Sequence, residues 1–136
     1  MRNAGLIGYV TLGTNDLERA AAFYDALLAE MGAGRFMEEE TFVAWAVAPD
    51  KPALSVTRPH DGGEATAGNG CMIALMVDGP EMVHRIYDRA LELGAQDEGP
   101  AGPRFGNFYA GYFRDLDGNK LNVFCLTSDE ENDDTA

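Results

Sequence analysis

The chain has 136 residues, 46% of them hydrophobic and 24% charged, a composition that fits one globular domain and leaves no room for a second. Its net charge of −13 becomes about −8 without the segment 128–136, which supplies five acids and no base. No basic stripe is present to neutralise phosphates or anionic lipid, and no apolar run is long enough to cross a bilayer, so nucleic acid and membrane are disfavoured as partners.

MRNAGLIGYV at the start has too short an apolar stretch for a secretory signal, which points to the cytoplasm. LIGYVTL (6–12) is a strand-like run. Asn15 stands three residues before Glu18, the spacing of a capping box, and opens a helix whose apolar positions Leu17, Ala20, Tyr24, Leu27, Leu28 and Met31 recur at helical intervals. Gly32 suits the left-handed stop after it. Three shorter strands are expected near 35–39, 42–48 and 53–58, the last two joined by Pro49-Asp50-Lys51-Pro52. PHDGGEATAGNG (59–70) is polar and glycine-rich, and reads as a linker.

The pattern then restarts. CMIALMV (71–77) is a second strand-like run, Asp78 and Glu81 repeat the cap spacing, Val83, Ile86, Ala90 and Leu91 repeat the stripe, and Gly94 repeats the stop. Strands are expected near 96–98, 107–114 and 120–126, the last two joined across DLDGN. Aligned with Tyr9 on Met72, the halves match at Tyr24 and Tyr87, Asp25 and Asp88, Leu28 and Leu91. After two small gaps, Leu54 and Val56 meet Leu121 and Val123. The fold class expected is α+β: two tandem βαβββ units forming curled mixed sheets around a concave cleft. One domain would span 1–127, with copies at about 5–58 and 71–127, followed by a disordered acidic tail at 128–136. Cys71 and Cys125 lack Cys-x-x-Cys spacing and read as buried free thiols.

YVTLGTNDLERAAAFYDALLAEMG (9–32), RPHDGGEATAGNG running into CMIAL (58–75), and FYAGYFRDLDGNKLNVF (108–124) together resemble the vicinal oxygen chelate superfamily of glyoxalase I, bleomycin-resistance proteins and extradiol dioxygenases, in a glyoxalase-like bacterial subgroup. That resemblance implies a divalent metal. Its ligands would be a histidine or glutamine on the first strand, a histidine opening the second copy and a glutamate on the last strand, with a further glutamate ending the first copy in glyoxalases. The matching positions here hold Tyr9, Met72, Asn122 and Ser55. A phenol, a thioether, an amide and a hydroxyl are poor substitutes for imidazole and carboxylate, so neither a metal nor another cofactor is expected.

Strand alternation gives a pocket lined by Tyr9, Met72, Tyr112, Asn122 and Phe124, with Trp45 added and Arg58 and Arg104 flanking. Pairing across DLDGN sets Tyr112 beside Asn122. Of the two histidines, His84 reads as a surface residue, whereas His60 in the linker, with Tyr9, is a catalytic candidate. Three functions are consistent with this. The first is a metal-independent small-molecule binder of the bleomycin-resistance type, as a homodimer. The second is a lyase or dioxygenase with an unrecognised metal or acid/base site, and the third is a structural or partner-binding module with a filled cavity.

Overall fold

The computed structural model describes residues 5–127; the acidic segment and its expected disorder lie outside the described residues. The chain divides between Ala67 and Gly68, within the expected linker, into two compact units. The first contains β1 (Tyr9–Gly13), α1 (Leu17–Ala29), β2 (Gly34–Glu38), β3 (Phe42–Ala46) and β4 (Ala53–Thr57). The second contains β5 (Ile73–Met76), α2 (Pro80–Glu92), β6 (Gln96–Pro103), β7 (Phe108–Arg114) and β8 (Lys120–Leu126). Each unit is thus βαβββ, and its strands form one mixed sheet, ordered β1-β4-β3-β2 or β5-β8-β7-β6, with only the first and last strands parallel. The registers reproduce the internal repeat. Val10 lies opposite Leu54 and Thr11 opposite Ser55; in the second unit Ile73 lies opposite Leu121 and Ala74 opposite Asn122.

In the first unit α1 buries Leu17, Ala20, Tyr24, Leu27 and Leu28 of the stripe read from the sequence, while Met31 lies past the end of the helix and is half-buried. The sheet answers with Val43, Trp45, Leu54 and Val56, all buried, and the Tyr24 and Trp45 rings meet at 5.6 Å. Side chains of this size each contribute about 1.5–3 kcal/mol when fully buried. Asp25, at the edge of this layer, accepts from Nε and Nη2 along one edge of the Arg35 guanidinium (2.9 and 2.8 Å) and from Trp45 Nε1 (2.8 Å). Arg35 chiefly, with help from Trp45, holds the Asp25 carboxyl below the usual carboxylate range.

In the second unit Val83, Ile86, Tyr87 and Ala90 of α2 are buried over the sheet. Tyr87 donates to Asp97 Oδ1 at 2.7 Å. Burial first, then this carboxylate, push the Tyr87 hydroxyl up to about 12. The β7–β8 turn is organised by buried Asp115, whose Oδ1 accepts from the backbone N–H groups of Asp117 and Asn119 and whose Oδ2 accepts from the Asn119 amide. Arg114 is structural here, donating to Glu98 and to the Gly118 carbonyl.

Both helices stop where expected: Gly32 and Gly94 have φ of +79° and +105°, and the next N–H in each case returns to a helix carbonyl five residues back. The starts differ from expectation. Asp16, not Asn15, caps α1, accepting from the Arg19 N–H, while Asn15 exchanges two hydrogen bonds with the Ala65 backbone. Gly79 precedes α2 without a side-chain cap, and Pro80 at the first helical position needs no acceptor there. β5 begins two residues later than the strand-like run, which leaves Cys71 exposed; Cys125 is buried as expected.

Candidate functional site

In the first unit, strand alternation turns Ala53, Ser55 and Thr57 of β4 away from α1. Tyr9 pairs with Ala53, Thr11 and Ala44 flank Ser55, and Phe42 pairs with Thr57, so three strands present one continuous face. Its floor is made of small side chains. Its walls are large ones. β2 supplies part of the wall through a bulge: Arg35 pairs with Trp45 while Met37 pairs with Ala44, so Phe36 is an extra residue. Arg35 therefore stays with Asp25, while consecutive Phe36 and Met37 both line the groove. Pro49 and Lys51, from the β3–β4 turn, complete a groove of about 540 Å³. Among the described residues Lys51 is the only charged side chain lining it. Ser55 is only 5% exposed, and no hydrogen bond joins its hydroxyl to the described residues.

In the second unit the equivalent face carries Ala110, Tyr112, Asn122 and Phe124. Tyr112 lies opposite Asn122, as the turn predicts. Phe105, Phe108 and Phe124 stack in series with centroids 5.4 and 5.1 Å apart. Asn122 is 1% exposed, and its Oδ1 is buried without a hydrogen-bond partner. Arg104 lies 5.3 Å over the Tyr112 ring and donates to the carbonyls of Pro100, Gly102 and Pro103. Lys120 approaches the same ring at 5.6 Å.

The residues singled out from sequence separate accordingly. Tyr9 and Ser55 share the first unit's groove, and Tyr112, Asn122 and Phe124 share the second unit's sheet. Met72 precedes β5 and is exposed. Trp45 faces the opposite way from the groove, buried against Tyr24 and bonded to Asp25, so its assignment to the pocket wall is corrected. Arg58 borders a separate cleft of about 210 Å³ with Thr14, Asn15, Pro59, Gly62 and Gly63. His60 is exposed and not on the groove wall; His84 is exposed, its Nε2 2.7 Å from the Tyr109 hydroxyl. Phe36, Met37, Phe42 and Lys51 were not anticipated. Alternation along β3 would have found Phe42, but nothing in the sequence marks the bulge.

The four positions where the resemblance implies metal ligands do not fit a divalent cation. None of Tyr9, Ser55, Met72 and Asn122 is a carboxylate or imidazole, and among the described residues no three His, Cys, Asp or Glu side chains gather to hold an ion.

A family model described as the Glyoxalase/Bleomycin resistance protein/Dioxygenase superfamily matches residues 6–123. A glyoxalase/bleomycin resistance protein from Albidiferax ferrireducens T118 is 32% identical, with a TM-score of 0.81 over 88% of this chain and 97% of its own. Hypothetical protein SA1046 from S. aureus (23% identity, TM-score 0.70, 93% of this chain and 96% of that one) shares the fold. So does lactoylglutathione lyase from Agrobacterium tumefaciens (19%, 0.65, 92% and 96%). No curated protein matches the chain. The family match over both units and the similarity to the Albidiferax structure carry one conclusion: this chain belongs to the glyoxalase/bleomycin resistance protein/dioxygenase superfamily.

Proposed function

We propose that the protein binds a small organic molecule without a metal, using the groove on the first unit's sheet. The observation that carries this is the groove itself. About 540 Å³ lies open beneath Tyr9, Phe36, Met37 and Phe42 because the floor beside them is built from Ala44, Ala53 and Ser55. A sheet face meant only for packing would fill that space with larger side chains. Walls that are mainly apolar with a few polar atoms are the usual make-up of a ligand site. Binding rather than turnover is favoured because no imidazole lines the groove and the four expected metal positions lack a carboxylate.

The test is a thermal-shift screen of aromatic acids, glycopeptide antibiotics and thiol adducts on wild type and on Ala53→Phe, which fills the floor. Ligands that raise the melting temperature of wild type but not of Ala53→Phe support the groove. Equal shifts in both proteins would move the site elsewhere. Elemental analysis of protein purified without chelator is expected to find no stoichiometric divalent metal, and one ion per chain would overturn metal independence. A homodimer is the further expectation, favoured by the exposed Leu6, Ile7, Met72 and Met76 side chains. A monomeric mass by light scattering at micromolar concentration would refute it.

A further inference from the structure

We infer that the groove selects an aromatic monoanion held at two points, its anionic group by Lys51 and a second polar atom by the Ser55 hydroxyl. This rests on the proposal that the groove is the binding site and adds the chemical class of its occupant. Three observations converge on it.

The first is charge. In a chain of net charge −13, the groove is lined by one cation and no acid, although Asp50 directly precedes Lys51. No ion pair involves Lys51 among the described residues. The chain's other charges repel an anion, but solvent screens exposed charges beyond roughly 8 Å at physiological ionic strength, so a direct contact decides the sign.

Shape is the second. Tyr9, Phe36 and Phe42 offer ring faces and edges, and Met37 a polarisable thioether, to a flat apolar body.

Polarity of the floor is the third. Ser55 is buried at 5% exposure, lines the groove, and has a hydroxyl that makes no hydrogen bond to the described residues, whereas the Thr57 hydroxyl is committed to the Thr41 and Arg58 carbonyls. The Ser55 hydroxyl opens onto the groove and is not sealed in the core, so a ligand atom can replace water as its hydrogen-bond partner. Lys51 and Ser55 are four residue steps apart, at most roughly 13 Å along the backbone at the rise of a strand, so a body of two rings or fewer is enough to reach both.

The experiment titrates the full chain by NMR or calorimetry with 6-hydroxy-2-naphthoate, its carboxamide, and 2-naphthoate, on wild type, Lys51→Met and Ser55→Ala. The carboxylate is expected to bind on the order of threefold to tenfold tighter than the carboxamide in wild type, with that preference lost in Lys51→Met. Removing the ligand hydroxyl is expected to cost a similar factor in wild type and little in Ser55→Ala. Preferences that persist in the variants, or that are absent from wild type while all three probes still occupy the groove, overturn the ligand class and leave the groove as a site. If none of the probes perturbs groove residues, both the ligand class and the groove fail.

Discussion

Asn122→Val is expected to stabilise the protein. Asn122 sits in the middle of β8 between β5 and β7, 1% exposed, with Val123 beside it and Tyr112 and Ala74 across the strands. Its Oδ1 is the one buried side-chain acceptor without a partner among the described residues. Leaving such a group dry costs about 1–3 kcal/mol, and removing it recovers most of that. Valine also suits a central strand and adds apolar contact with Tyr112, while its branched Cβ risks up to about 1 kcal/mol of crowding. The net expectation is a gain of about 1–2 kcal/mol, read by urea denaturation as a higher midpoint at unchanged slope. Asn122→Ala serves as a control, since it removes the same acceptor but leaves a small void and should gain less. A loss of more than about 1 kcal/mol in Asn122→Val at unchanged slope would refute the reasoning, because it would mean that the amide was satisfied in solution and its partner was left stranded.

Gly111→Ala is expected to destabilise by about 1–3 kcal/mol, because a Cβ on this buried β7 residue would stand 3.1–3.2 Å from three Tyr87 atoms. The ring cannot simply swing aside while its hydroxyl stays on Asp97; a neutral result in the same denaturation assay would show that it can. Tyr87→Phe should flatten alkaline unfolding. The Tyr87 hydroxyl titrates at about 12 when folded against an ordinary 10.0, so its contribution is full below the unfolded value and is lost as pH rises through the folded one. Wild type is therefore expected to lose stability relative to Tyr87→Phe across roughly pH 10–12, and parallel stability profiles would contradict the assignment.

The repeat was legible because each half obeys the same local rules. Helical stripes ending in Gly32 and Gly94 gave the two helices, and the DLDGN turn gave the β7–β8 register and with it the Tyr112–Asn122 pair. The failures were places where tertiary partners overrode local pattern. Asn15 has the spacing of a cap but is held by the Ala65 backbone, fifty residues away in sequence, so Asp16 takes the cap. Trp45 reads as a pocket aromatic until its N–H is placed, and Asp25 on α1 supplies the acceptor on the other face.

Half of the candidate groove was hidden for a related reason. A bulge has no composition of its own, and the one at Phe36 converts a strand that alternation would split between two faces into one that keeps Arg35 on Asp25 while sending Phe36 and Met37 the other way. The Arg35–Asp25 pair and the groove wall are therefore two consequences of a single inserted residue. The equivalence of Ser55 and Asn122 was legible in the repeat, but its meaning was not. Both lie on the last strand of their unit, opposite Thr11 and Ala74, and each is a buried polar residue, with the Asn122 Oδ1 sealed without a partner and the Ser55 hydroxyl open to the groove. Packing gives no reason for a polar residue at the same register in both units, and at Asn122, whose Oδ1 is sealed, an apolar residue would be more stable. A ligand that needs a neutral hydrogen-bonding atom there gives one for Ser55, whose hydroxyl lines a groove wide enough to admit it.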